Sequence, residues 1–202
     1  MKNYICINGK KIELTKEQIE KIQTSVKVKQ KKLGTIPVRE TFKIGDYEFI
    51  VLEHSKDTTA VILKDLLEKD VKFGSNNNYN GSNVEAICNS FGEKIANIIG
   101  KENIIEHTVD LTSDDGLKCY GKVKRCMSIL TAGLYRRYVE ILDKHKINSW
   151  WWLATPFSTK KHGNDLYCKY VSPRGYVYYD GCNYFNLGVR PFCILNSNIF
   201  VS

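Results

Sequence analysis

The sequence lacks long apolar runs, and this absence argues against a membrane-spanning helix. No stretch approaches the roughly 18 consecutive apolar residues that a span requires. The opening stretch, MKNYICINGKKIEL, also lacks the apolar segment and small-residue cleavage site of a secretory signal. We therefore expect a protein that is cytoplasmic as synthesised and that does not act in a membrane.

Motifs for metal binding and catalysis are scarce as well. No Cys-x-x-Cys pair occurs and the four histidines are far apart, so no zinc site is predicted. Asp110, Asp114 and Asp115 precede Gly116 without the spacing of an EF-hand calcium loop, which favours a capped turn. A Gly-rich phosphate loop and a Ser-His-Asp motif are also missing. We expect no metal and no cofactor.

The seven cysteines do not suggest a disulfide framework. Their number is odd, and the sequence gives no sign of secretion. Free thiols are therefore the expectation for all of them.

The positive charge is concentrated near the beginning of the chain. Residues 1–35 hold nine Lys and three Glu, a net charge of +6, whereas residues 36–202 carry only +2 of the total of +8. A basic arm can bind nucleic acid or an acidic partner. No nucleic-acid recognition motif accompanies the lysines at 27, 29, 31 and 32, so a solvated linker is preferred and no nucleic-acid ligand is expected.

Residues 1–35 are predicted to form a small unit of their own. Asn8-Gly9 lies between two apolar segments and predicts a hairpin. Thr15 and Gln18 have the spacing of a helix capping box, followed by apolar residues at Ile19, Ile22 and Val26 and a linker over 27–34. Such a unit is too small to be stable alone. It must dock on the body or on another copy, which leaves a homo-oligomer through residues 1–35 open.

Residues 36–202 combine strand and helix patterns without βαβ alternation. Strands are predicted within 42–44, 47–52, 58–63, 150–153, 167–171, 176–179 and 189–195. One helix is predicted to begin at Ser82, with Glu85 completing a capping box, and to end at Gly100, with an inward stripe from Val84 to Ile98. A second helix is predicted over about 131–144. The pattern indicates an α+β fold with an antiparallel sheet.

Three motifs near the end of the chain carry a family resemblance. They are Trp-Leu-Ala-Thr-Pro at 152–156, Val-Ser-Pro-Arg-Gly at 171–175 and Gly-Val-Arg-Pro-Phe at 188–192. This order resembles a poorly characterised family of bacterial and phage proteins with a Trp-Leu-x-Ser/Thr-Pro and Gly-Val-Arg-Pro signature. That family is similar to the C-type lectin-like fold in the version of formylglycine-generating enzymes. Ala154 departs from the arginine that many relatives carry.

The resemblance implies a C-type lectin-like domain over 36–202, in which two helices pack against short antiparallel strands. The chemistry of the motif residues indicates structural roles: Arg190 is predicted to be a partly buried guanidinium that bonds carbonyls or a carboxylate, and Pro191 to lie at a strand edge or bulge. Trp150 and Trp152 are predicted to face one side of a strand and Trp151 the other. The structural motif residues are Trp152, Pro156, Gly175, Gly188, Arg190 and Pro191.

The stretch RGYVYYDGCNYFNLGVRPF, residues 174–192, holds six aromatic residues of nineteen, although the whole chain is only 11% aromatic. Tyr, Asn, Asp and Gly are residues that binding loops use, because Tyr gives a large contact area at low entropy cost. Variable proteins of diversity-generating retroelements, which share the implied fold, carry such a surface before their closing motif. We therefore predict ligand contacts at Tyr167, Tyr170, Tyr176, Tyr178, Asp180, Asn183, Tyr184 and Asn186.

The function expected is non-catalytic binding of a protein or glycan, with a host surface molecule or an intracellular host factor as candidates. Three alternatives remain open. The tyrosines could be core and sheet residues, because Tyr favours strands; Val177, Phe192 and Tyr179 fit that interpretation. Cys182 and Cys193 could serve a formylglycine-generating-like oxidase, although the flanking residues do not match and Cys193 lies in an apolar run. The chain could also be a phage structural protein, associated with the virion, or an inhibitor of a host factor.

Overall fold

The structure, a computed structural model, describes residues 4–7, 10–19 and 30–202. It is an α+β fold with mostly antiparallel strands and few helices, which confirms the predicted α+β class. The strands are Tyr4–Ile7 (β1), Lys10–Glu13 (β2), Lys31–Lys32 (β3), Thr41–Ile44 (β4), Tyr47–His54 (β5), Thr58–Leu63 (β6), Ile104–Ile105 (β7), His107–Asp110 (β8), Lys122–Arg125 (β9), Met127–Ile129 (β10), Trp151–Pro156 (β11), Tyr167–Val171 (β12), Val177–Gly181 (β13), Pro191–Asn196 (β14) and Phe200–Val201 (β15). Residues 16–19 are helical, and the further α-helices are Asn83–Ile99 (α1), Ala132–Arg137 (α2) and Val139–Leu142 (α3).

A six-stranded antiparallel sheet forms the centre of the body. Its strands run in the order β10-β14-β6-β5-β4, and the short β7 also pairs with β14. A bulge interrupts the β5–β6 pairing between Val51 and Glu53. The outer edge of β4 is covered by the end of the chain, because Lys43 exchanges backbone hydrogen bonds with Ser202.

Helices cover both faces of this sheet, and strand alternation divides the core in two. Phe49, Val51 and Val61 point to a cluster that contains the buried side chains of α1. Ile50 and Ile62 point to the opposite face, where they meet α2, α3 and the strand β11. Each face of the sheet therefore buries its own apolar layer, as the period of two along a strand requires.

Helix α1 begins and ends where its capping residues predict. The Ser82 side chain accepts a hydrogen bond from the Glu85 N–H at 3.1 Å, and the Glu85 carboxylate accepts from the Gly81 N–H at 2.7 Å. Gly100, with φ +89°, ends the helix. The predicted inward stripe is wrong at its last residue, because Ile98 is 52% exposed. In the middle of the helix, Gly92 permits a close approach to β10, because an added Cβ would lie 3.1 Å from Met127 Cβ.

The second predicted helix is broken into α2 and α3. Thr131 caps α2 through its side chain, which accepts from the Leu134 N–H at 3.2 Å. Tyr138 then leaves the helical conformation, with φ −105° and ψ 12°. Its hydroxyl donates to the Glu53 carboxylate at 2.7 Å, an interaction with β5 that the sequence pattern could not reveal.

The second sheet, β11-β12-β13, has three strands and carries the late motifs. It joins the body along β11, whose outer edge is covered by two segments. The Trp152 N–H donates to the Gly188 carbonyl at 3.0 Å, and the Ala154 N–H donates to the Leu130 carbonyl at 2.9 Å. Strand β13 forms the opposite edge.

Part of the predicted N-terminal unit can be checked. Strands β1 and β2 pair antiparallel, and Thr15 and Gln18 form the predicted capping box at 2.9 and 3.2 Å. Ile22, Val26 and residues 27–29 of the predicted linker lie outside the described residues. The linker prediction is wrong for Lys31–Gly34, because β3 pairs with β15 and the Leu33 side chain is fully buried in the core. The division at residue 35 and the predicted homo-oligomer stay predictions.

Among the described residues, no helix combines the length and apolar character needed to cross a membrane.

Candidate functional site

A tight turn joins β12 to β13 and sets the position of the predicted tyrosines. The Gly175 N–H donates to the Ser172 carbonyl at 2.8 Å, and Gly175 has φ +85°, which favours glycine. The Ser172 side chain accepts from the Tyr176 N–H at 3.1 Å. From the other side, the Tyr135 hydroxyl donates to the Gly175 carbonyl at 2.7 Å. The turn is therefore fixed by its own hydrogen bonds and by one from α2.

One face of the hairpin carries three of the predicted tyrosines. Tyr170 lies opposite Tyr178 in the β12–β13 register, with ring centroids 6.1 Å apart. Tyr176 meets Tyr178 edge-on at 6.1 Å. Tyr176 and Tyr178 are 56% and 50% exposed, whereas Tyr170 is half-buried, and this burial, followed by the nearby Asp180 charge, raises the pKa of Tyr170. Tyr170 therefore anchors a row of rings that extends into solvent.

The other face groups Tyr167 with two rings that the sequence analysis did not predict as ligand contacts. Tyr179 stacks on Phe157 with centroids 4.0 Å apart, and Tyr167 meets Tyr179 edge-on at 5.9 Å. Lys169 lies beneath them, 5.7 Å from the centroid of Phe157, with its ammonium 2.8 Å from an Asp114 carboxylate oxygen. Tyr179 lies in β13 and is 49% exposed, so it is a sheet-surface residue rather than a core residue. The β12–β13 register places Tyr179 on the same face as Tyr167, so knowledge of that register would have identified Tyr179 as a candidate contact.

Beyond β13, the chain folds back over the hairpin end. Asn183, Tyr184, Tyr167 and Leu166 line part of a cleft of about 340 Å³. Gly181 permits this approach, because an added Cβ would lie 3.1 Å from the Tyr184 ring. The cleft connects Tyr184 with the second face of the hairpin.

The remaining predicted contacts are distributed less compactly. The Asp180 carboxylate accepts from the N–H of Gly181 at 2.7 Å, so its role is partly to fix the end of the strand. Asn186 is exposed in the following loop, beside Phe185 at 64% exposure, a ring that was not predicted as a contact. The structure thus divides the predicted residues between two faces of one hairpin and the loop that follows it.

Apart from Gly175 in the turn, the structural motif residues are buried behind this hairpin. Trp152 packs on Phe73 with centroids 5.5 Å apart, and its indole N–H donates to the Val71 carbonyl at 2.8 Å. Trp151 points to the opposite core cluster, as the alternation predicts, while Trp150 is 43% exposed. Pro156 ends β11, where it pairs with Cys168 after a bulge.

Arg190 donates to backbone carbonyls, as predicted, but it is fully buried rather than partly buried. Its guanidinium donates to the carbonyls of Leu63 and Lys64 at 2.9 and 2.8 Å and lies 5.3 Å from the Trp151 ring centroid. Burial lowers its pKa to about 10. The group stays cationic at neutral pH and joins β6 to β14.

The glycine and proline of the closing motif also have defined positions. A Cβ on Gly188 would lie 2.4 Å from Leu66 Cδ1 and 2.9 Å from the Glu68 carbonyl oxygen, so only glycine fits there. The expectation of an edge or bulge for Pro191 is wrong. Pro191 begins β14, which lies between β10 and β6. The first residue of a strand tolerates proline even in the centre of a sheet.

The thiols of Cys182 and Cys193 have different surroundings. Cys182 contacts the thiol of Cys168, whereas Cys193 lies in β14 opposite Met127 and Val61. Burial raises the pKa of the Cys193 thiol far above its usual value. A buried thiol with a raised pKa is a poor nucleophile.

The aspartates near Gly116 bind separate partners. Asp115 accepts hydrogen bonds from Ser113, Ser158 and His162, and these hydroxyl contacts lower its pKa. Asp114 pairs with Lys169, and Asp110 accepts from Thr112 at 2.6 Å. Within the described ranges, no group of three or more His, Cys, Asp or Glu side chains is arranged to hold a metal ion. The predicted capped turn is present, with the Gly116 N–H donating to the Ser113 carbonyl.

Comparison with known proteins gave no relative from which a function could be carried over: no protein-family model, curated protein or solved structure matches the chain.

Proposed function

We propose that the chain is a non-catalytic binding module of C-type lectin-like fold, and that the β12–β13 hairpin with its following loop is the surface that holds the ligand. The fold assignment is supported by the arrangement of helices on both faces of a central antiparallel sheet. It is also supported by the position of the hairpin, which follows a buried Trp-containing strand and precedes the Gly-Val-Arg-Pro segment.

One observation carries the functional proposal. Tyr176, Tyr178 and Tyr184 expose 56%, 50% and 53% of their surface, and all three lie in the hairpin or in the loop that follows it. Exposed apolar rings that cluster are unusual on a monomeric surface and mark contact sites. Tyr also suits this task because its ring supplies contact area and its hydroxyl supplies a hydrogen bond at the cost of few rotatable bonds.

The chemistry of the surface suits a protein or a glycan ligand. Rings on both hairpin faces can stack on apolar or sugar groups, while the hydroxyls and the exposed amides of Asn183 and Asn186 can hydrogen-bond to the ligand. The environment of the cysteines supports binding over oxidation, because Cys182 and Cys193 do not share a site and both are buried.

A binding screen with a matched variant tests the proposal. The wild-type chain and a variant with Tyr176→Ser, Tyr178→Ser and Tyr184→Ser would be screened against a glycan array and a displayed library of linear peptides. We expect binders of the wild type that lose at least about tenfold in affinity for the variant, as expected when contact tyrosines are removed. Binders that hold the folded variant equally well would contradict the proposal.

A variant that carries both Cys182→Ser and Cys193→Ser distinguishes a binding module from the alternative oxidase. A binding module keeps its ligand when it is folded and lacks both thiols. A turnover that oxidises a substrate thiol and disappears in this variant would favour the enzyme.

A further inference from the structure

The outer edge of β13 has backbone groups that the other described residues leave open. In an antiparallel pair, alternate residues direct their N–H and C=O groups toward the partner strand. The Ser172 N–H donates to the Tyr176 carbonyl at 2.9 Å, and the Cys182 N–H donates to the Leu166 carbonyl at 2.7 Å. By this alternation, the backbone N–H and C=O groups of Tyr178 point toward β12. The same alternation directs the N–H and C=O groups of Val177 and Tyr179 away from the sheet, where no described residue bonds them.

Both ends of this edge are closed by the chain itself. At one end, the Gly175 carbonyl accepts from the Tyr135 hydroxyl at 2.7 Å. At the other end, the Gly181 N–H donates to the Asp180 carboxylate at 2.7 Å and the Gly181 carbonyl accepts from the Tyr184 N–H at 3.0 Å. The open part therefore spans Val177 to Tyr179 and offers two donors and two acceptors at strand spacing.

Strand β13 lacks the usual protection of an edge strand, whereas the outer edges of β4 and β11 are covered. Strand β4 is covered by Ser202, and β11 by Gly188 and Leu130. Natural edge strands are commonly protected by Lys, Pro or a bulge. The sequence of β13, Val-Tyr-Tyr-Asp-Gly, has none of these, and its pairing with β12 is regular. Its only charge, Asp180, is turned to the Gly181 N–H.

Aromatic rings lie on both faces of the open edge. Tyr178 and Tyr176 stand on one face, and Tyr179 with Phe157 stands on the other. Alternate side chains of an added strand would fall on these two faces. The open backbone groups would bind its main chain, and the rings would contact large apolar side chains on either side.

We propose that the open edge of β13 at Val177–Tyr179 accepts an extended segment of a partner polypeptide as a fourth strand of the β11-β12-β13 sheet. This inference rests on the proposed binding function and specifies its ligand as a polypeptide rather than a glycan. Strand addition gains affinity from main-chain hydrogen bonds and specificity from alternating side chains. A second copy of the chain is the less favoured occupant, because so short an edge buries far less area than the roughly 1,200 Å² of a stable interface.

The first test uses one position with two substitutions. Val177→Pro removes an outward N–H without removing a bond of the β12–β13 ladder, whereas Val177→Thr keeps both the N–H and the branched side chain. Peptides selected from a displayed linear library on the wild type would be measured against both variants. We expect Val177→Pro to weaken binding by about tenfold or more and Val177→Thr to weaken it little. Equal binding to folded Val177→Pro would overturn strand addition.

The second test needs no variant of the protein. Each peptide bond of a selected peptide would be N-methylated in turn and its affinity for the wild type measured. An added strand directs alternate N–H groups to the edge, so the loss should recur at every second residue. A loss without this alternation, or no loss, would overturn the proposal even where Val177→Pro fails to fold.

The outcomes separate this inference from the proposed function. Glycans that bind while no peptide is selected, or peptides that need the tyrosines but tolerate Val177→Pro, would reject strand addition and leave the binding surface intact. Peptides that bind equally well after Tyr176→Ser, Tyr178→Ser and Tyr184→Ser, and equally well to folded Val177→Pro, would reject both. Self-association of the wild type that Val177→Pro abolishes would show that a second copy occupies the edge, and would reject the partner proposed here.

Discussion

Two neighbouring aromatic regions of this molecule differ in almost every physical respect. In β11, Trp151 and Trp152 are 2% and 0% exposed, and Trp152 satisfies its indole N–H with a backbone carbonyl. In β13, Tyr178 and Tyr179 are about half exposed and contact mainly other rings. Both are aromatic pairs within antiparallel strands of one sheet.

Their positions in that sheet explain the difference. Strand β11 joins the body through hydrogen bonds to Gly188 and Leu130, so its rings enter the two core clusters. Strand β13 is the far edge, with the body on one side only. Rings of the first kind stabilise the fold by leaving water, whereas rings of the second kind retain contact area for another molecule. The comparison predicts that substitutions in the two regions will have very different effects on stability.

The largest effect is expected for Trp152→Ala. Removal of this fully buried ring leaves a cavity beside Phe73 and the Val71 carbonyl without its donor. Large-to-small changes of this kind cost about 3–5 kcal/mol in the free energy of unfolding. Urea denaturation checks the value, with Trp150→Ala as the matched control, since Trp150 is 43% exposed. Equal losses in both variants would contradict the assignment of Trp152 to the core and of Trp150 to the surface.

The second-largest effect is a pH dependence of stability that comes from His107 in β8. His107 donates to or accepts from the Ser128 hydroxyl at 2.8 Å and packs edge-on against Phe192. Burial lowers its pKa from 6.5 to about 4. The unfolded chain therefore takes up a proton at a higher pH than the folded chain, and stability falls as the pH falls from about 6.5 to about 4.

The loss over this range is expected to approach roughly 3 kcal/mol in the free energy of unfolding. Urea denaturation at a series of pH values measures it. The variant His107→Gln removes the titrating group and should lose most of the slope, whatever its own stability. A slope unchanged by this substitution would assign the effect to other groups.

A smaller loss is expected for Arg190→Lys. Lysine keeps the charge but cannot donate in a fork to the carbonyls of Leu63 and Lys64 or stack on Trp151 as the planar guanidinium does. We expect a cost of about 2 kcal/mol in the free energy of unfolding. Arg174→Lys, at an exposed turn position, is the control and should change little. A neutral Arg190→Lys would contradict the role given to the guanidinium.

Local parts of this fold could be predicted from sequence, because their signals lie within a few residues. The capping of α1 by Ser82 and the strands at 58–63 and 167–171 are examples. Long-range partners could not be predicted in the same way. Trp152 and Val71 are 81 residues apart, and Arg190 and Leu63 are 127 apart.

The candidate site shows the same division between local and distant information. Composition alone indicated an unusual density of Tyr, Asn and Gly near the end of the chain. Composition could not show that Tyr167 and Tyr178 occupy opposite faces, since this depends on the β12–β13 register. Phe157 was missed for the same reason, because it reaches Tyr179 only through the pairing of three strands.

The tyrosine-rich hairpin stands in solvent rather than in the core. The decisive measurement is a thermal melt of the variant carrying Tyr176→Ser, Tyr178→Ser and Tyr184→Ser. We expect a midpoint within a few degrees of the wild type, because each of these rings is at least half exposed. A midpoint lowered by ~10 °C or more would show that the rings are structural, and would contradict the recognition surface.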